Sequence, residues 1–591
     1  MPNRFRDALL SGEFAVSCEV VPGRGAREDS QLAEFSEAQR IHATGRVHAV
    51  SVTDNPSGHA ALFADAFAAE LMAAGITPLV HLTCKDRSRN QLQSQLYALE
   101  RQGVSNVLVM TGDYPASGWS GLSKPVFDLD PVQLLKLITQ MNAGLPCATR
   151  TSAPTGGDPA TVRCEKPAHF FAGVVVSPFK WTEAETITQY VKLDKKIHAG
   201  AQFIISQLGF DARKMQELLW YLREKGHALP VIANVFILNA GIGRLMSAGK
   251  FPGCYVSDAL LDELALESTH PDKGKRARLE RAAAQIAIAR GLGYAGVHIG
   301  GLGLNAQTVV QVLDRAQELQ TDWQSLAQGM NYGHPDGFYL YLPESGEKSS
   351  GPTANEDQSN LPATAIDPQP TAPQPASSRP TGRPEADQPP DCDRPDRPRP
   401  SPRNELRHER ALFKGYGLSR FFHYWVLTKD KRGYPLLSRI MDRKERKRGR
   451  QRKHTFEHLG KAFLYGCQDC GDCGLEATVF SCPMAECPKC QRNGPCGGSF
   501  LGWCEVYPHE RYCVHFKAYH RLKKHDELAA LGSYLTPASD WNLDKTSAWS
   551  NYTHERDNAA KREPLDPVQA IRMSTEASEA IPDKQQHEED R

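Results

Sequence analysis

The stretch NVLVMTGD, residues 106–113, decides the fold. Its four apolar residues, Val107 to Met110, read as a buried strand, and Gly112-Asp113 halts it in a turn. Upstream lie a helical pattern, SRNQLQSQLYALERQ (88–102), and a second apolar run, TPLVHLTC (77–84). Downstream, DPVQLLKLITQMN (130–142) is helical again. Strand, helix, strand, helix is the signature of a parallel sheet. Further runs extend it outward: FAVSCEVV (14–21), VHAVSVTD (47–54), FAGVVVSP (171–178), FIISQLGF (203–210), PVIANVFIL (230–238) and GVHIGGL (296–302). Eight strands alternating with helices in about 300 residues match a (β/α)8 TIM barrel. A doubly wound open sheet is the alternative, but no glycine fingerprint follows the first strand. The fold class is α/β.

At 591 residues the chain exceeds one compact core. The barrel is expected over 1–342. Residues 343–403 are proline-rich and nearly free of large apolar side chains, so they read as a disordered linker, with Cys392 in it outside any ligand role. Such a linker tethers the next domain without fixing it against the barrel. A cysteine-rich metal-binding domain follows at 404–562, then a charged, disordered tail at 563–591. Net charge of +1 gives no bulk attraction to nucleic acid or to an anionic membrane. The basic run RKERKRGRQRK (443–453) has no interleaved aromatics for base stacking. It reads as a solvated helix, or as a dock for an acidic electron-transfer partner. The N-terminus lacks a signal-peptide apolar region, and no run approaches the ~20 apolar residues of a membrane helix. A cytoplasmic, reducing compartment is expected.

Nine of the fifteen cysteines lie between Cys467 and Cys513. Cys467, Cys470 and Cys473 repeat as C-x2-C-x2-C; Cys482, Cys487, Cys490, Cys496, Cys504 and Cys513 follow. Two-residue gaps let thiolates converge on one ion or cluster, whereas disulfide partners rarely sit so close. Three readings remain open: two iron–sulfur clusters using eight of the nine thiolates, one cluster plus a zinc, or structural zinc alone. Gly494, Gly497 and Gly498 would let the backbone approach the ligated sulfurs.

Barrel chemistry sits where the strands end. Those ends carry Glu19, Thr53, His81, Thr83, Asp113, Ser177, Gln207 and His298. Alternation places Ser17, Glu19 and Val21 on one face of the first strand, and Val109, Thr111 and Asp113 on one face of the fourth. Two carboxylates at one apolar mouth suit acid/base chemistry. Any single Thr53, Thr83 or His298 reads equally well as a satisfied polar strand end.

CEVVP (18–22), SVT (51–53), HLTC (81–84), TGD (111–113) and KIHAGAQFIISQLGFD (196–211) stand in the order found in the methylenetetrahydrofolate reductase family, which the chain resembles over roughly residues 10–320. CPKCQRNGPCGGS (487–499) and TSAWSNYTHERD (546–557) resemble a C-terminal domain fused to or partnered with these reductases. The resemblance implies flavin-dependent reduction of 5,10-methylenetetrahydrofolate to 5-methyltetrahydrofolate, or the reverse oxidation. Glu19 then matches the general acid, with a raised pKa expected from its apolar strand. Asp113 matches the carboxylate near pterin and flavin, and Gln207 the amide on the pterin edge. Thr53, His81, Thr83, Gly112, Ser177 and Lys196 match positions lining the flavin, FAD or alternatively FMN. The chain has Thr111 where the family usually has arginine, and Ser177-Pro178-Phe179 where it has Tyr-Pro-Glu. The electron source is NAD(P)H or an electron-transfer protein feeding the cysteine domain, and assembly into a homo-oligomer is left open. The rival function is a non-catalytic electron-transfer or scaffold subunit with a flavin-less barrel.

Overall fold

A computed structural model describes residues 2–148, 162–301, 303–334, 336–341, 411–448 and 455–565. The proline-rich segment 343–403 with Cys392, residues 449–453 of the basic run, and the tail beyond 565 lie outside the described residues. The eight strands are β1 (Ala15–Val20), β2 (Ala49–Val52), β3 (Pro78–Thr83), β4 (Asn106–Met110), β5 (Phe171–Val176), β6 (Phe203–Ser206), β7 (Val231–Phe236) and β8 (Gly296–Gly300). All pair in parallel, and β8 closes on β1 with Ala15 opposite Gly296. The barrel expected from the alternation is present, each strand shorter than its sequence run because the polar ends turn out of the sheet.

Helix α1 (Arg4–Ser11) seals the N-terminal end. Asn3 caps it through Arg6 N–H and donates from Nδ2 to Asn106 Oδ1 at 2.6 Å. Phe5 and Leu9 pack with Leu79, Leu108, Phe171 and Phe203 inside the barrel. The Phe5 and Phe203 rings meet edge to face at 5.4 Å. Phe5→Ala would cost about 3–5 kcal/mol. Above this dry plug the interior turns polar, with Ser17, Ser51, His81 and His298 all buried. Polar chemistry can therefore open only toward the C-terminal mouth.

The alternate residues Cys18, Val20, Val80, Val107 and Val109 belong to the core under the surrounding helices. That parity confirms Ser17 and Glu19 as inward-facing, while Val21 lies past the strand and is exposed. It corrects the expectation for the fourth strand. Leu108 points inward and Val109 outward, and the strand ends at Met110, so Thr111 and Asp113 are not carried onto the face of Val109 by strand alternation. The chain turns at Gly112, whose φ of 82° favours glycine. A Cβ there would also stand 2.8 Å from Lys85 Cγ.

The C-terminal part has helices α4 (Tyr416–Phe422), α5 (Gly433–Arg448), α6 (Thr455–Tyr465) and α7 (Val514–Lys523), with the nine clustered cysteines in the connection between α6 and α7. One small buried cluster holds it, including Tyr416, Val479, Ala518 and Leu522. Its interior is otherwise ionic: Arg492 pairs with Asp472 at 3.0 Å, and Asp472 also accepts the Asn558 N–H. A core this thin leans on ligation for stability.

This domain is docked on the barrel, which corrects the expectation of a loosely tethered module. Helix α2 (Pro131–Ala143) is capped by Asp130, whose Oδ1 accepts Val132 N–H and Gln133 N–H. The other oxygen accepts Asn493 N–H at 3.0 Å, Asn493 Nδ2 at 2.9 Å and Arg492 N–H at 3.3 Å. From α3 (Glu183–His198), Lys192 Nζ donates to Gln491 Oε1, Gly494 O and Pro495 O at 2.9–3.0 Å. Lys180 donates to the carbonyls of Gly497 and Ser499. Breaking such charge-assisted bonds strands buried charges, so the two parts hold one arrangement. The long connection at 114–170 thereby gains a role, since its helix α2 is part of the docking surface.

Candidate active site at the barrel mouth

Glu19 leaves β1 between two histidines. His298 Nε2 on β8 stands 3.6 Å from Glu19 Oε2, and ligand atoms of Glu19, His81 and His298 all lie within 4.8 Å of one another. Each imidazole is steered by a serine from a strand: His298 Nδ1 lies 2.9 Å from Ser17 Oγ, and His81 Nε2 2.7 Å from Ser51 Oγ. Both rings are buried, whereas the Glu19 side chain is 26% exposed and reaches the mouth. Burial pushes the Glu19 carboxyl up, but the hydrogen bond and charge of His298 hold it below the usual carboxylate range. The raised pKa expected from the apolar strand is thus reversed in the free protein. Burial, foremost, lowers His81 to about 4 and keeps it neutral. The trio can hold and hand over a proton, and it is compact enough to hold a divalent cation.

The other expected residues divide. Asp113 Oδ2 accepts Ser57 N–H from the loop after β2 at 2.7 Å. Cys254, which sequence reasoning passed over, is pushed up to about 12 by burial, with the Asp113 and Glu19 charges adding to it. Its loop thus lies near both carboxylates; nothing in its sequence marks it. Gln207 Oε1 accepts Leu208 N–H, at the end of β6 beneath Gly253. Thr53 Oγ1 lies 3.5 Å from Val20 O. The Thr83 hydroxyl is committed to Asp54, itself bound by Arg87 at 2.6 and 2.9 Å. Among the described residues Ser177 Oγ is buried without a partner. Gly112 O accepts Lys489 Nζ at 2.8 Å, and Thr111 Oγ1 lies 3.3 Å from Gln491 Oε1. Lys196 donates to Val175 O, and burial, foremost, lowers it to about 7. His298 was visible as a strand end, but its partnership with Glu19 required the barrel to close.

The cysteines sort into two neighbourhoods. Burial raises Cys470 and Cys482 to about 12, and both feel Cys473, with Cys467 beside them. Cys487, Cys496, Cys504 and Cys513 line one small cavity at the barrel side, and burial raises Cys496 to about 11 and Cys513 to about 12. Cys490, at φ 48°, does not line that cavity, and Arg492 and Asp128 are its charged neighbours. Backbone N–H groups reach the sulfurs: Asp469 to Cys467, Gln491 to Cys487 and Gly498 to Cys496. Of the three glycines expected at the sulfurs, Gly498 serves there; Gly494 and Gly497 instead offer carbonyls to the barrel lysines. Among the described residues no three cysteine sulfurs lie within 4.8 Å of one another.

A closed (β/α)8 barrel that gathers a carboxylate and two imidazoles at its mouth is a scaffold on which acid–base chemistry can be built. The chain belongs to the methylenetetrahydrofolate reductase family. The family model described as Methylenetetrahydrofolate reductase matches residues 4–317, more than half of the 591. A second, described as Methylene-tetrahydrofolate reductase C terminal, matches 448–542. Membership makes the chain an oxidoreductase acting on methylenetetrahydrofolate, in a family that is generally flavin-dependent. Among solved structures, an uncharacterized protein from Clostridium thermocellum that binds two copies of 5-methyl-5,6,7,8-tetrahydrofolic acid is similar at 11% identity and TM-score 0.38, covering 54% of this chain and 99% of its own. A tryptophan synthase from M. tuberculosis is similar at 13% identity and TM-score 0.27, covering 56% and 97%. Likenesses of that size add nothing to the closed barrel seen directly. Among the described residues no helix is long and apolar enough to cross a membrane.

Proposed function

We propose that the chain interconverts 5,10-methylenetetrahydrofolate and 5-methyltetrahydrofolate at a flavin held in the barrel mouth, with electrons exchanged through the cysteine domain. The observation that carries this reading is Glu19 between His298 and His81 at the open end of the barrel. The residues fit a flavin: Ser177 offers a buried, unpartnered hydroxyl, and Thr53 and His81 stand at adjacent strand ends. Ser177, Thr53 and His81 would hold the ring; the phosphate positions, where the family's arginine and Tyr-Pro-Glu are replaced, leave FAD or FMN open. When bound, the flavin supplies hydride to the methylene carbon.

Ring opening of the substrate needs a proton on the departing nitrogen. In the free protein Glu19 is held charged by His298. A folate seated over the mouth would displace the solvent that now reaches Glu19, adding desolvation that raises its pKa. The Glu19–His298 pair then delivers the proton, while Ser17 keeps the imidazole oriented. Asp113, close by and negative, stabilises the cationic iminium formed on the folate. Gln207 presents an amide to the pterin edge.

The cysteines fit metal clusters. Cys467, Cys470, Cys473 and Cys482 would hold one, and Cys487, Cys496, Cys504 and Cys513 the other, with Cys490 to spare. Tetrahedral zinc would draw its sulfurs to ~3.8 Å apart, whereas a cluster with one thiolate per iron would hold them wider. The second group lies against Gly112 and Ser177 through Lys489 and Gly497, which puts it next to the proposed flavin. Anaerobically purified protein should show flavin absorbance or take up added FAD or FMN. A preparation doing neither overturns the enzyme reading in favour of a flavin-less electron-transfer subunit.

A further inference from the structure

The described residues of the C-terminal domain leave an apolar face uncovered. Leu418 and Phe421 on α4 are 62% and 63% exposed, and Phe456 and Phe463 on α6 are 95% and 89% exposed. Between these helices opens a cavity of about 260 Å³, walled by Leu418, Phe422, Phe456, Leu464 and Trp549. Cys473, from the outer group of four, lines the same cavity. Soluble domains rarely show clustered aromatics of this size to water without a use for them. The surrounding segment is basic: residues 411–448 carry eleven lysines and arginines against three acidic residues.

We infer that this face docks an acidic one-electron carrier protein, which inserts an apolar side chain beside Cys473 and exchanges electrons with the outer cysteine group. The inference rests on reading the two cysteine groups as electron-carrying clusters. The order of sites supports it: exposed face, outer group at Cys473, inner group, then the barrel mouth. Two reduced carriers each give up one electron; with two protons these convert the methylene group to methyl, and each carrier is left oxidised by one electron. In the oxidising direction the same surface receives two oxidised carriers. A second copy of this chain would bring like charge against like charge. A lipid surface would leave the concave cavity unfilled, whereas a protruding side chain fills it. A basic segment carrying one side of an apolar face is the complement of an acidic carrier, with the charges setting encounter rate and the aromatics affinity.

The test is direct binding of the full-length, cluster-loaded protein to a two-cluster ferredoxin, followed by calorimetry. Binding should weaken between 50 and 200 mM salt, as screening of exposed charge requires. Phe456→Ala with Phe463→Ala, and separately Arg443→Glu with Lys444→Glu, should each raise Kd by about tenfold or more. None of the four belongs to the Glu19, His81 and His298 group, so reduction of methylenetetrahydrofolate with a viologen donor should be unchanged. Absent or variant-insensitive ferredoxin binding overturns the inference. So does loss, in the variants, of sedimentation with phosphatidylglycerol vesicles or of self-association while ferredoxin binding persists. If viologen drives no turnover in the wild type, the proposed function fails instead, and the two failures are distinguishable.

Discussion

His298 Nε2 and Glu19 Oε2 face each other at 3.6 Å across the seam where β8 closes on β1. The imidazole and its charge are what keep the carboxylate low against the burial that would raise it. His298→Asn should therefore raise the Glu19 pKa. If the protonated pair opens the substrate ring, kcat/KM for the folate falls as pH rises through that pKa, and the variant's falling limb moves to higher pH. A pH profile of kcat/KM checks this. A limb that stays in place would show that His298 does not set the acid.

His81 gives a stability prediction with a definite sign. Buried and lowered to about 4, it stays neutral in the folded state, whereas the unfolded chain binds its proton below pH 6.5. Its contribution is fully present above pH 6.5 and is lost as pH falls toward 4, reaching about 3 kcal/mol at most. Asp65, raised by burial to about 6, opposes this trend over an overlapping window. The comparison must therefore be between wild type and His81→Asn, which should lose less stability from pH 6.5 to 4 in denaturant titrations.

The sorting of the cysteines predicts which thiol is dispensable. Two four-iron clusters would give about eight iron atoms and matching acid-labile sulfide per chain. Cys490→Ser should keep both clusters, whereas Cys473→Ser should lose about half the iron. Zinc in place of iron would make the domain a structural dock.

Asp130 joins the two parts through a single carboxylate, one oxygen capping α2 and the other holding Arg492 and Asn493. Asp130→Ala removes a cap worth about 1 kcal/mol and leaves buried amides unpaired at about 1–3 kcal/mol. Hydrogen exchange should rise across residues 487–500 while the barrel strands stay protected. Equal loosening of both parts would contradict a specific docking role.

Much of the fold was legible because each βα unit announces itself within some thirty residues: an apolar run, a turn, a helical repeat. Glu19 was legible as a charge on an otherwise apolar strand. Alternation could not carry Asp113 to its place, because the strand ends at Met110 and Gly112 turns the chain, and alternation holds only while the strand lasts. Asp130 caps its helix through one oxygen, yet its second oxygen serves residues more than 350 positions away. The docking itself was hidden because a proline-rich segment between two domains says nothing about the surfaces it connects. Those surfaces are built from buried lysines meeting backbone carbonyls, which have no sequence signature.

The most direct measurement of the central claim is an anaerobic single turnover. Reduced, flavin-loaded protein is mixed with 5,10-methylenetetrahydrofolate in a stopped-flow spectrometer, and the product is then identified. The account predicts that flavin absorbance returns as 5-methyltetrahydrofolate forms in equal amount. In Glu19→Gln the same step should slow by roughly 10²–10⁴-fold, with reduction of the flavin by viologen unchanged. Reduced flavin that stays reduced in the presence of the folate, or a Glu19→Gln protein that turns over at the wild-type rate, would contradict it.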